Sequence, residues 1–159
     1  MTPRQLYDRV KCDALYYLAT GGGVTFGGGE PLLYPGFIRE FRQICGNQWH
    51  LCAETSLNVP WKNVAIAAEV IDHFYIDCKD TNPQIYRSYT GQDNARMLSN
   101  LEQLLKITTP GKITVRLPLI PSYNTEEDRQ RSRELLTQMG ISHFDLFTYR
   151  TSRNAAAKL

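Results

Sequence analysis

The chain has no apolar stretch approaching the length of a membrane helix, and its N-terminus lacks the basic-then-apolar pattern of an export signal. A membrane partner is therefore not expected, and a cytoplasmic location is. Nor is there a basic run comparable to a nucleic-acid patch. Arg129, Arg131 and Arg133 alternate with polar and acidic neighbours, and 18 basic against 16 acidic residues leave a net charge of only +2. Four cysteines are present, Cys12, Cys45, Cys52 and Cys78, but no two stand at the CxxC or CxxxCxxC spacing of a ligand set. In a reducing compartment they read as small buried hydrophobes, leaving no metal site visible. With 42% hydrophobic and 21% charged residues, neither disorder nor a fibrous chain is indicated.

What is present is an alternation of helical and strand patterns. Thr2 and Pro3 are cap and first-turn residues of a helix whose apolar stripe reads Leu6, Val10, Leu15 and Leu18, ending at Gly21–Gly23. Strands are expected at 24–26, 50–54, 73–77, 113–119 and 143–148. Helices are expected at 35–45, 64–70, 83–89, 94–107 and 126–139. Strands separated by helices of about ten residues imply parallel βαβ units with right-handed crossovers. Five strands are too few for a closed eight-stranded barrel, so an open or partial barrel and a doubly wound sheet both remain.

In either architecture, ligands bind beyond the C-terminal ends of the strands. Polar residues collect there: Gly27–Glu30, Glu54–Ser56, Asp77–Lys79, Arg116 and Tyr149–Arg150. Asp77 and Lys79 are two apart, so an extended backbone turns both to one face and Phe74, Ile76 and Cys78 to the other. The pair can satisfy each other, bond Arg116, or hold the charged ends of a zwitterion. The glycine turn lacks the Gly-Lys-Ser/Thr of a phosphate loop and the GxGxxG pattern of a dinucleotide site. Glu30 beside it suits an amine better than an anion.

The segment GGGVTFGGGEPLLYPGFIREF, Gly21 to Phe41, closely resembles the radical S-adenosylmethionine (SAM) activases of glycyl-radical enzymes, where GGGVTFSGGEP is common. Further landmarks follow in order: Glu54-Thr55-Ser56, YIDCK at Tyr75–Lys79, YTGQDNARMLSNLEQL at Tyr89–Leu104, and VRLPLIPSYN at Val115–Asn124. The resemblance implies an α/β fold, a partial parallel (β/α) barrel of about five strands, as one truncated radical SAM core domain over residues 1–159. It implies SAM at the strand ends, with Gly28, Gly29 and Glu30 lining the site for the methionyl amino group. Asp77, Lys79 and Arg116 would hold the methionine moiety, and Glu54, Thr55 and Asp77 match positions that surround a monovalent cation in some activases. The family reaction uses a [4Fe-4S] cluster to cleave SAM and install a glycyl radical on a partner enzyme.

Departures from the family pattern set the expectation for this chain. The family's CxxxCxxC loop follows a strand that precedes the helix with which this sequence opens. Without those thiolates the chain alone is expected to be inactive. Gly27 stands where serine is common, and Arg150 where histidine often follows the last strand's tyrosine. A missing first strand would also leave an exposed edge that invites self-association. The alternatives are a non-catalytic module that binds SAM or a partner protein, and an unrelated βα enzyme, which the ordered motifs disfavour.

Overall fold

In the computed structural model, residues 1–149 are described. The N-terminal segment forms α1 (Pro3–Val10), a 3-10 turn at Lys11–Asp13 and α2 (Ala14–Thr20). Then follow β1 (Gly23–Phe26), α3 (Pro35–Cys45), β2 (His50–Thr55), α4 (Trp61–Ala68) and β3 (His73–Asp77). The remainder is α5 (Pro83–Thr90), α6 (Ala95–Ile107), β4 (Ile113–Leu119), α7 (Glu126–Gln138) and β5 (His143–Thr148). Local sequence sets the helix starts. Thr2 and Gln5 close a capping box on α1, Thr125 and Asp128 close one on α7, and Asn82 caps α5 ahead of Pro83.

The five strands are all parallel and lie in chain order, β1-β2-β3-β4-β5. That order decides between the two architectures left open by the sequence. A doubly wound sheet reverses its strand order partway and carries helices on both faces. Same-handed crossovers without a reversal place every helix on one face and curve the sheet as a barrel wall. Burial agrees. Leu51, Ala53, Phe74, Ile76, Ile113, Val115 and Leu117 point to the helices and are at most 1% exposed. Each such large side chain stabilises the fold by about 1.5–3 kcal/mol. The alternate positions, including Tyr75, Asp77, Thr114 and Arg116, form the concave face and remain half-open to solvent.

The expected N-terminal stripe needs correction. Leu15 is 83% and Leu18 49% exposed, whereas Leu6, Tyr7, Val10, Ala14 and Tyr17 pack on the core. The 3-10 turn changes the helix phase so that Tyr7 stacks on Trp49 (ring centroids 5.2 Å) and Tyr17 meets it edge-on (5.1 Å). The cysteines also divide. Cys52 and Cys78 are buried as expected, but Cys12 is exposed because the same turn lifts it from the sheet, and Cys45 is intermediate. On the outer side of β1 no strand pairs among the described residues.

Candidate functional site at the strand ends

Strand register assembles the polar residues into a ladder across the concave face. Glu54 of β2 is level with Tyr75 of β3, Asp77 with Arg116 of β4, and Arg116 with Asp145 of β5. Arg116 is the centre. Its Nη1 lies 3.4 Å from Glu54 Oε1, and its Nε lies 3.6 Å from Asp77 Oδ1 and 3.5 Å from Asp145 Oδ2. Nε is thus within ion-pair reach of two carboxylates, yet it is buried and hydrogen bonded to neither. Phe147 carries the guanidinium 5.4 Å above its ring.

Lys79 stands one step higher. Its ammonium lies 3.4 Å from Asp77 Oδ2 and donates to the Tyr149 hydroxyl at 2.8 Å. Burial works against this charge, but the Tyr149 hydroxyl and Asp77 outweigh it and hold the Lys79 pKa above its ordinary value. Of the alternatives the sequence offered, Asp77 therefore takes two at once, standing within ion-pair distance of both Lys79 and Arg116. Cys78, between the two acid–base residues, faces the core, and burial pushes its thiol up to about 12.

A second polar group closes the site from the β1 side. The Glu30 carboxylate accepts from Leu32 N (3.1 Å), Thr55 Oγ1 (2.7 Å), Ser56 N (2.9 Å) and Ser56 Oγ (2.7 Å). Four donors make it a brace between the glycine turn and the end of β2. Thr55 is 2% exposed, and its hydroxyl also accepts from Leu57 N at 2.9 Å. Leu57 holds a positive φ of 54°, an uncommon conformation kept in place by Asn100, which donates to the Leu57 and Val59 carbonyls at 2.7 and 2.8 Å. Gly28 has φ +95°, and nothing lies within 4 Å of a Cβ built on Gly28 or Gly29, so the turn's main chain is open to a ligand. At Gly27 a Cβ would sit 3.3 Å from Glu54 Oε2, so the family's common serine needs only a slight shift of a flexible side chain.

Between these groups is an open cavity of about 330 Å³ lined by Glu30, Ser56, Asn58, Asp77, Lys79 and Tyr86, among others. A larger hollow, about 440 Å³, lies between the turn after β3 and α7 and contains none of the expected site residues. The fold thus joins Glu54, Asp77, Lys79 and Arg116 in one charge group, and Glu30 and Thr55 in another beside the Gly28–Gly29 turn. Asp145, Tyr149 and Ser56 complete these groups; Ser56 and Tyr149 stood among the polar strand-end residues without a role in the SAM site, and Asp145 was not singled out. The two-residue alternation Asp145–Phe147–Tyr149 was the available signal. Arg150 lies outside the described residues. No group of three or more His, Cys, Asp or Glu side chains is arranged for a metal ion among the described residues.

A parallel wall with one-sided helices and a charged, glycine-flanked site at its strand ends is the arrangement of a (β/α) barrel wall with its ligand site at the strand ends. Residues 1–136 match the Radical SAM superfamily, and the chain belongs to it. That family uses SAM and a [4Fe-4S] cluster. Among curated proteins, the chain is 36% identical over 128 residues to the (2S)-3-sulfopropanediol dehydratase activating enzyme of Klebsiella oxytoca, covering 79% of this chain and 39% of that protein. It is 33% identical over 129 residues to the indoleacetate decarboxylase activating enzyme of Tractidigestivibacter scatoligenes, covering 80% and 40% respectively. The chain spans less than half the length of these relatives. Among solved structures, a domain of pyruvate-formate lyase-activating enzyme from Bacteroides vulgatus shares the fold with a TM-score of 0.56 and 22% identity, over 79% of this chain and 98% of that one. Streptococcus suis SuiB superposes with a TM-score of 0.64 at 17% identity, over 81% of this chain and 30% of that one. No helix among the described residues is long and apolar enough to cross a membrane.

Proposed function

We propose that this chain forms the SAM-holding wall of an activase for a glycyl-radical enzyme. The observation that carries the reading is the charge group around Arg116. Three carboxylates, Glu54, Asp77 and Asp145, face two cations, Lys79 and Arg116, leaving a surplus of one negative charge. SAM carries an ammonium, a carboxylate and a sulfonium, and so one net positive charge. Lys79 suits its carboxylate, and the acidic residues suit its cationic groups. The main chain at Gly28 and Gly29 would take the amine, with Glu30 and Thr55 shaping the turn. When bound, SAM supplies the carbon radical precursor, and these residues orient it and limit water around it.

The cysteines do not fit the family's cluster. Cys78 and Cys52 are buried, Cys12 is exposed on the far N-terminal turn, and no metal-binding group forms among the described residues. No step through a cluster follows from these residues. That scatter favours a second reading for the chain by itself, a module that binds SAM or a partner without catalysis. The β1 edge, which no strand pairs among the described residues, and Leu15 and Tyr16, exposed on the adjoining α2, support self-association with a second copy.

Titration calorimetry tests the site. SAM should bind, S-adenosylhomocysteine, which lacks the sulfonium charge, should bind roughly tenfold more weakly, and Asp77→Asn or Lys79→Ala should each cost roughly tenfold. Unchanged affinity in both variants would sink the site assignment. SAM binding without a cluster signal in electron paramagnetic resonance, after anaerobic treatment with iron and sulfide followed by reduction with dithionite, would select the second reading. Light scattering of the wild type against Thr25→Lys reads the edge: loss of dimer in the variant is the expected outcome.

A further inference from the structure

Behind Lys79 lies a buried polar lattice that the ligand site does not require for its charge. Asp80 is 2% and Ser132 1% exposed. Asp80 Oδ1 accepts from Asn82 N (2.9 Å) and Ser132 Oγ (3.2 Å), and Oδ2 accepts from Asn124 Nδ2 (3.2 Å). Asn124 uses its whole carboxamide. Its Oδ1 accepts from Ile120 N at 2.6 Å, while Nδ2 also reaches Pro118 O at 3.2 Å and Lys79 O at 3.5 Å. Asn94 donates to Thr81 O at 2.8 Å, and Thr81 N donates to Ser132 Oγ at 3.0 Å.

The position of this lattice gives its meaning. The ladder between β3 and β4 ends with Cys78 N donating to Arg116 O at 3.1 Å, so no sheet hydrogen bond fixes the chain at Lys79. From there the carbonyl of Lys79 and both main-chain groups of Thr81 are held by side chains from three other segments. Burying a carboxylate among neutral donors is a costly way to pack a loop, and an apolar contact would stabilise it more.

We infer that Asn124 and Asp80 are positioning residues that lock the main chain at Lys79 to the end of β4, delivering its ammonium between Asp77 and Tyr149. This deepens the proposed SAM site and rests on Lys79 belonging to it. The lattice extends the sheet's precision two residues past its last strand residue, where the ligand group stands.

The test uses the 159-residue protein with its lysines reductively methylated with carbon-13, the Lys79 signal being assigned by Lys79→Arg. In Asn124→Ala the Lys79 resonance should move to that of solvent-exposed lysines and titrate at lower pH, and SAM affinity should fall roughly tenfold. Val64→Ala, a core control, should lower the melting temperature without moving that resonance. The reciprocal swap, Asp80→Asn with Asn124→Asp, restores a donor facing an acceptor between the two residues but leaves a carboxylate against the Lys79 carbonyl, so the Lys79 resonance should stay displaced. A Lys79 resonance unmoved in Asn124→Ala overturns the inference. If Asn124→Ala does not fold, Ser132→Ala carries the same readout. Should SAM bind none of the proteins, the site reading fails, while the Lys79 resonance still decides the positioning role.

Discussion

Replacing Arg116 by Met isolates the charge at the centre of the site. Methionine keeps most of the apolar stem, so packing over Phe147 is largely retained and the guanidinium alone is lost. Three carboxylates 3.4–3.6 Å from that guanidinium then face one another without it. A single exposed pair is worth about 0–1 kcal/mol, and breaking a buried one costs about 3–5 kcal/mol. Arg116 is 25% exposed at its side chain, and its partners are 30–52% exposed, so the group lies between these limits. Summed over three partners and discounted for solvent screening, the expected loss is about 2–4 kcal/mol, or roughly 5–15 °C in melting temperature. Urea unfolding followed by circular dichroism measures it, with an unchanged slope showing that the unfolded state is unaffected. Because the destabilisation is electrostatic, about 1 M salt should recover much of it. A loss below about 0.5 kcal/mol, or one indifferent to salt, would refute the picture of Arg116 as the hub.

Thiol titration with Ellman's reagent should find Cys12 reactive in the native protein and Cys52 and Cys78 only after unfolding; rapid native labelling of Cys78 contradicts its burial. Gly23→Ala should destabilise by about 2–4 kcal/mol, because the new Cβ would fall 2.0 Å from the His50 carbonyl oxygen and force β1 from β2. Gly36→Ala, in an open position of α3, should instead gain about 0.5–1 kcal/mol in the same denaturant assay. His73, bonded to Thr114 at 2.9 Å, has its pKa lowered below 6.5 by burial and then by His50 and His143. The unfolded chain therefore takes up this proton first, and stability rises with pH through the window below 6.5 and is lost on acidification. His73→Gln should flatten the stability loss between roughly pH 7 and pH 5, and an unaltered profile would remove His73 as its source.

The sequence made some of this legible because strand alternation is a strict rule. Tyr75-Ile76-Asp77-Cys78-Lys79 can place its acid and base together only on the face opposite Ile76 and Cys78, and they meet there. The same rule, applied along β5, would have yielded Asp145 and Tyr149 as companions of Arg116 and Lys79. The N-terminal stripe misled because Leu15 and Leu18 are the more purely apolar residues, while the 3-10 turn selects Ala14 and Tyr17 instead. A phase change of that kind comes from Trp49, a partner some thirty residues on, which periodicity within the helix does not report. Glu30 likewise read as a residue open to an amine. That its oxygens are taken by Thr55 and Ser56 depends on the approach of two strand ends, which local pattern does not encode.

The uninterrupted strand order bears on how the molecule is made. Each strand pairs with the one synthesised just before it, so every helical crossover closes a short loop, and no strand waits for a distant partner. The chain can therefore add one βα unit at a time as it leaves the ribosome. The charge group cannot follow the same schedule. Asp145 and the Tyr149 hydroxyl come from β5 and the residue after it, so Arg116 and Lys79 lack part of their surroundings until β5 docks. Among the described strands the wall is built progressively, but the charge group on its face waits for β5.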